Sequence, residues 1–342
     1  KAATAVDFDL DDILLEKSFK ADDFTIAAGG TLNMGYRLNL SETGQQLDYD
    51  KLSTLSEGQS ASIANVSYCF AATYPPVFWT TDDDGSTRDV FAIKADAKKI
   101  AAGDAATTAK YATWMNADHR FYVKWYDQGK TEAQDSDAAT VYEVRIIGIN
   151  HDDKADGSGK AGLTFQLTRA LPSKLPMNTS AVSSGGWERS YLRTQMSGAG
   201  GMVYNQVPQK LLSVIEPVSK KANNGGGTNY SACISVKDKL FVASTVELFG
   251  QGEYMSSWSY GSRLGQEGAQ YAFWAAQDLD TRQGVANPPL AQLCIDTSGI
   301  WTRSPSPSQA FTFCNIGGTG NLGAPQTNGA ASVIGVVPCF CL

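Results

Sequence analysis

At 342 residues the chain is longer than one hydrophobic core usually supports, so two domains, or one elaborated domain with an N-terminal attachment region, are expected. A formal net charge of -7, with Lys98-Lys99 and Lys220-Lys221 as isolated basic pairs, excludes electrostatic capture of nucleic acid or of an anionic membrane, which needs clustered cations. The 33 glycines and the 10% of aromatic residues, with turn residues recurring between short apolar runs, favour a β-rich, loop-heavy architecture, and no segment is long and apolar enough to span a bilayer.

In chain order, the acidic amphipathic run Val6 to Leu15 suits a tether. It lacks a signal-type apolar core, which leaves cytosolic synthesis or a leader already removed. Phe24 to Trp79 reads as short strands, and Asp82-Asp83-Asp84-Gly85 as a solvated turn. Alanine-rich sequence between Phe91 and Met115 predicts a helical segment broken at Gly103, and Arg120 to Tyr126 a strand. The polar run from Gly129 to Thr140 marks the expected boundary: residues 1–140 form a β-rich attachment or oligomerisation region with a helical segment, and residues 141–342 a ligand-binding domain. Strands are predicted at Val141 to Ile149 and Ala161 to Leu167, helices at Trp187 to Met196 and Val207 to Glu216, and a further strand at Lys239 to Ser244. An aromatic, glycine-rich excursion then runs to about Trp274. Phe311 to Ile316 alternates as a strand does, and Cys339-Phe340-Cys341 places both sulfurs on one face.

Material for chemistry is thin. The six cysteines, Cys69, Cys233, Cys294, Cys314, Cys339 and Cys341, are too scattered for zinc and too sparse for a disulfide scaffold, so the terminal pair reads as packing. Asp152, Asp153 and Asp156 beside Gly157 suggest calcium, but an EF-hand register puts Lys154 and Leu163 where oxygen ligands belong. That loop reads as a hydrogen-bonded turn, and no metal, cofactor or catalytic residue is assigned. Only His119 and His151 are available for a histidine triad, and Glu247, Glu253, Glu267 and Asp278, the carboxylates a glycosidase would need, read as solvated surface groups.

From Ile147 onward a series of landmarks stands in one order. They include Gly148-Ile149-Asn150-His151-Asp152, the Ala155 to Phe165 run, Met177-Asn178, Gly185-Gly186-Trp187, Ser190-Tyr191-Leu192-Arg193, Asp238-Lys239-Leu240-Phe241, Glu267-Gly268-Ala269-Gln270-Tyr271, Trp301-Thr302-Arg303-Ser304-Pro305 and Gly335-Val336-Val337-Pro338. This order resembles a family of lectin-like C-terminal domains of bacterial and phage-borne proteins. That family is akin to the C-type lectin fold of sulfatase-modifying enzymes and of the variable proteins of diversity-generating retroelements. The resemblance implies an α+β fold, with a C-type lectin-like C-terminal domain after a β-rich N-terminal region. It also implies a segment between Arg303 and Gly335 whose binding residues change while the frame persists.

The candidate ligand-binding residues are Ser306, Ser308, Gln309, Thr312, Asn315, Thr319, Asn321, Gln326 and Asn328, which show no apolar period and contain no charge, together with Trp301. Trp301 and Arg303 also suit framework roles, Arg303 by pinning a loop through backbone carbonyls or a carboxylate. The expected function is a receptor- or adhesin-like surface or virion protein, phage- or prophage-encoded, that displays this surface to a protein or glycan on a cell. The N-terminal region would support a homo-oligomer. The alternatives are an enzyme on the same fold, hydrolase or cysteine-dependent, and a purely structural virion component.

Overall fold

A computed structural model describes residues 76–127, 139–198, 200–251, 261–318 and 321–342. The expectations for Val6 to Leu15 and for the strands before Pro76 lie outside the described residues.

The described chain opens with a hairpin, β1 (Phe78–Thr81) and β2 (Thr87–Asp89). Helices α1 (Val90–Ala101) and α2 (Ala105–Asn116) follow. Asp89 and Asp104 cap them by accepting from the backbone N–H of Ala92 and Thr107, and the expected break falls at Gly103, held at φ +88°. Strands β3 (Phe121–Tyr126), β4 (Ala139–Ile149) and β5 (Leu163–Leu167) form an antiparallel run, and a two-residue β6 (Leu175–Pro176) leaves it. Three short helices, α3 (Tyr191–Met196), α4 (Met202–Asn205) and α5 (Gln209–Val214), lead to the hairpin β7 (Val218–Asn223) and β8 (Cys233–Asp238). After β9 (Leu240–Phe241) come α6 (Thr245–Phe249), a 3₁₀ stretch Gly261–Glu267, α7 (Ala272–Ala275) and α8 (Pro288–Ala291). The chain closes with β10 (Ile300–Pro305), β11 (Thr312–Ile316), β12 (Pro325–Gly329), β13 (Val333–Ile334) and β14 (Cys339–Cys341).

Helices and several antiparallel sheets make this an α+β protein. The principal sheet has the order β2-β1-β3-β4-β5-β14-β9, and a separate sheet has the order β10-β11-β12. β14 lies between β5 and β9, with Phe340 opposite Phe165 on one side and Leu240 on the other. Four phenyl rings from β1, β3, β5 and β14 fill the middle of the core: Phe165 lies 5.1 Å from Phe78, 5.0 Å from Phe121 and 5.4 Å from Phe340.

This packing corrects the boundary expected between residues 140 and 141. Tyr126 on β3 pairs with Ala139 on β4, so the polar run joins neighbouring strands of one sheet, and the compact unit begins at Pro76. A polar, glycine-containing composition suits a strand connection as well as a linker. Local rules also shorten three elements. The helix expected from Trp187 starts at Tyr191, where Ser190 accepts from the Arg193 N–H. The next begins after Pro208. The strand expected from Lys239 to Ser244 ends at Phe241, because Ser244 and Glu247 form a capping box that starts α6.

Candidate functional site

The frame of the C-terminal segment is β10, buried at every residue. Trp301, 1% exposed, donates its indole N–H to the Leu175 carbonyl at 2.8 Å. Arg303, wholly buried, donates to the carbonyls of Lys221 and Val242 at 3.1 Å and of Glu267 at 2.9 Å. Its guanidinium also forks onto the Glu247 carboxylate, with Nη2 2.7 Å from Oε1. The pinning role expected of Arg303 is what the geometry gives it.

Glu247 Oε1 lies 2.5 Å from the Lys220 ammonium, which in turn meets Asp152 and donates to the Tyr271 hydroxyl at 2.9 Å. Glu267 accepts from the Asn223 backbone N–H at 2.9 Å and from the Ser304 hydroxyl. All these side chains are at most 4% exposed. Burial opposes ionisation of Asp152, yet Lys220 holds its carboxyl well below the usual range; burial likewise opposes ionisation of Glu247, and Arg303 with Lys220 prevails. Three carboxylates face two cations, and burial pushes the third acid, Glu267, up to about 7 despite the pull of Arg303. Glu247 and Glu267 are therefore enclosed members of one ion network, which corrects their reading as solvated surface groups. Asp278 is exposed, and Glu253 lies outside the described residues.

Nearby, Asp153 pairs with Lys160 at 2.7 Å and Asp156 accepts from the Ser158 N–H at 2.8 Å. Among the described residues no group of three or more His, Cys, Asp or Glu side chains is placed to hold a metal ion. Cys339 and Cys341 are buried, and burial pushes both thiols up.

The candidate binding residues divide. Ser308, Gln309 and Asn321 are exposed, and Gln326 and Asn328 are half-buried. Thr319 lies outside the described residues. Trp301, Ser306, Thr312 and Asn315 are buried, and this corrects their placement on a ligand surface. The reason is that β11 is the middle strand of its sheet and is covered on both faces. Phe313 packs edge-on to Trp301 with ring centres 6.4 Å apart, while Cys314 joins Val246 and Leu264. Thr312 donates to Gln309 Oε1 at 3.0 Å, and buried Asn315 donates weakly, at 3.3 Å, to the Ile316 carbonyl.

The sequence reading missed a strap from residue 177 to 191 that completes the surface. The Asn178 N–H donates to the Ala330 carbonyl and the Ser183 N–H to the Ala310 carbonyl, each at 2.9 Å, while the Ala330 N–H reaches the Phe311 carbonyl at 2.9 Å. Strap, turn and hairpin therefore form one continuous patch. It carries exposed Val182, Phe311 and Val333, the last two 51% and 57% exposed, beside a notch of about 270 Å³ lined by Asn178, Ser180, Val182, Ser184, Arg189 and Tyr191. The Arg189 stem lies against Gly185, which has φ +86° and where an added Cβ would stand 2.7 Å from the arginine Cβ. Among the described residues the Arg189 guanidinium has no ion-pair partner. The only advance signal for the strap was Gly185-Gly186, a pair that permits such a tight approach.

The free edge of β12 is largely closed to another strand. The register pairs Asn328 with Phe313, and the hydrogen bond between Ala330 and Phe311 directs the backbone groups of Pro325, Thr327 and Gly329 outward. Pro325 has no N–H and its carbonyl accepts from Gly284 at 3.3 Å. The Gly329 N–H donates to Asn328 Oδ1 at 3.0 Å, and the Gly329 carbonyl accepts from Ser332 at 2.8 Å. Thr327 is left as the outward pairing position.

Residues 162–342 match the family described as a domain of unknown function, DUF6273, and the chain belongs to that family. No curated protein and no solved structure matches it.

Proposed function

For this member of the family, we propose a non-enzymatic ligand-binding protein built on a C-type lectin-like fold, which presents the patch around Phe311, Gln309, Gln326 and the Arg189 notch to a protein or glycan. One observation carries the reading. From Ser304 to Leu342 the chain has no Asp, Glu, Lys, Arg or His, yet its strands are clamped by a buried ion network at Arg303. Solvent-facing polar groups there are held in place with few structural demands on their identity, which suits recognition by shape and neutral hydrogen bonds. Arg189 adds one cation at the rim, so the preferred ligand carries an acidic group there. Display on a virion or cell surface, in several copies through the N-terminal region, would raise the effective affinity of a weak site. The ordered landmarks and the polar segment between Arg303 and Gly335 support relation to retroelement-diversified proteins.

The enzyme reading has less support. Glu247 and Glu267 are enclosed and already paired, and burial raises both terminal thiols against the opposing pull of Lys220. A second crevice of about 270 Å³, lined by buried Trp125, Tyr126, Tyr142, Leu171 and Gln206 and by exposed Asp127 and Pro172, has a single carboxylate and no histidine or cysteine among its lining residues.

The deciding experiment is a glycan and protein array probed with the native protein and with a variant carrying Gln309→Ala, Phe311→Ala and Gln326→Ala. Loss of the native hits in a folded variant is expected, and unchanged hits would remove the site from this patch. Diversification has its own test: a near-copy of the coding segment in flanking DNA, mismatched mainly at adenines and beside a reverse transcriptase gene. Its absence would end that part of the proposal.

A further inference from the structure

The geometry points to Asn328 as a self-modifying residue: attack by the Gly329 backbone nitrogen, followed by water, converts its amide to a carboxylate and installs a negative charge in a segment that otherwise carries none. The chain contains two Asn-Gly pairs, Asn224-Gly225 and Asn328-Gly329. Glycine lacks the Cβ that would hinder approach of its own nitrogen to the preceding side chain, so both pairs are chemically competent. Their surroundings differ.

At Asn328 the Gly329 N–H faces away from β11 on an outer strand and, among the described residues, donates to Asn328 Oδ1 alone, at 3.0 Å. Nucleophile and amide are therefore already side by side. The Ser332 hydroxyl also donates to Oδ1 at 2.9 Å. A donor at that oxygen polarises the amide and stabilises the negative charge that grows there as nitrogen attacks. Both asparagine and glycine are half-buried, so water has access.

At Asn224 the amide is held elsewhere. Its Oδ1 accepts from the backbone N–H groups of Ser231 and Ala232, each at 3.0 Å, and its Nδ2 donates to Ser231 Oγ at 2.7 Å. Gly225 is buried. Turning that amide toward Gly225 would break three hydrogen bonds.

The steps balance without a further reagent. The Gly329 nitrogen gives its proton to water or hydroxide and bonds to Asn328 Cγ; the Cγ–Nδ2 bond breaks, and ammonia leaves with a proton taken from solvent. The resulting five-membered imide is opened by water. Cleavage at the Cγ side yields aspartate, and cleavage at the backbone carbonyl yields isoaspartate. Aspartate fits the site, since both hydrogen bonds made by Asn328 Oδ1 are accepted ones and a carboxylate accepts them as well. Isoaspartate lengthens the main chain by one carbon and disturbs the pairing of β12 with β11.

The test is peptide mass mapping of the folded protein during incubation at mildly alkaline pH, with isoaspartate detected separately. Conversion at Asn328 is expected to run several-fold faster than at Asn224, and to slow several-fold in Ser332→Ala. Equal conversion at the two asparagines in the folded protein would overturn the inference, as would an unchanged rate in Ser332→Ala. If that variant does not fold, the native protein with and without urea still decides. The preference for Asn328 should vanish on unfolding, and a preference that persists in urea would trace to sequence and overturn the geometric argument.

Discussion

Two neighbouring regions of this molecule make opposite use of polarity. Around Arg303, five buried ionisable side chains, Asp152, Lys220, Glu247, Glu267 and Arg303, converge from four separate parts of the sequence, and most of their hydrogen-bonding positions are taken. A few residues further along, from Ser304 onward, no charged side chain occurs and the exposed groups are small amides, hydroxyls and single apolar residues. Buried charge tolerates little change, because removing one partner leaves another uncompensated. A neutral exposed patch tolerates a great deal. The pairing of the two separates holding the segment from using it.

The contrast is broken most forcefully at its centre. Arg303→Met should destabilise the fold by about 3–5 kcal/mol in urea unfolding, because Glu247 loses its bidentate partner and three carbonyls lose a donor. A loss below about 1 kcal/mol would show that the network is not what clamps β10. Glu267 gives the next largest effect, through pH. Its folded pKa of about 7 stands above the ordinary 4.5, so its contribution is fully present below pH 4.5 and is lost as pH rises to about 7. The native protein should lose on the order of 3 kcal/mol across that window from this group, and Glu267→Gln should flatten the decline. Asp152 and Glu247 act with the opposite sign, since their lowered pKa values withdraw stability only as pH falls below the ordinary carboxylate range.

Smaller effects sharpen the boundary between the regions. Trp301→Phe loses the hydrogen bond to Leu175 and leaves a cavity where part of the buried indole stood, a cost of about 2 kcal/mol by thermal or urea unfolding with no change in ligand selectivity. Arg189→Gln should leave stability within about 0.5 kcal/mol while weakening capture of acidic glycans relative to neutral ones. Equal loss for both classes would remove the acidic group from the proposed ligand.

The sequence made the local grammar readable and the long-range convergence unreadable. The break at Gly103, the strand of Arg120 to Tyr126 and the pinning role of Arg303 each follow from a few adjacent residues, and each stands in the structure. Lys220 looked like half of an isolated basic pair, and Glu247 and Glu267 like surface acids. Their shared burial depends on contacts across as many as 68 positions, which no periodicity records. Thr312 and Asn315 misled for another reason: alternation distinguishes two faces of a strand but does not reveal that both are covered. The polar run before Val141 had the composition of a linker, and only the pairing of Tyr126 with Ala139 shows that it serves one sheet.

The position of β14 has a genetic consequence. Its three residues, Cys339–Cys341, are encoded after the polar segment yet fill the slot between β5 and β9 in the principal sheet. A premature stop or a frameshift arising anywhere between Ser306 and Ile334 therefore removes an inner strand as well as altering the surface. Point changes pass through this filter and reading-frame errors do not, so the reading frame of the polar segment just upstream is proofread by the folding of the frame itself.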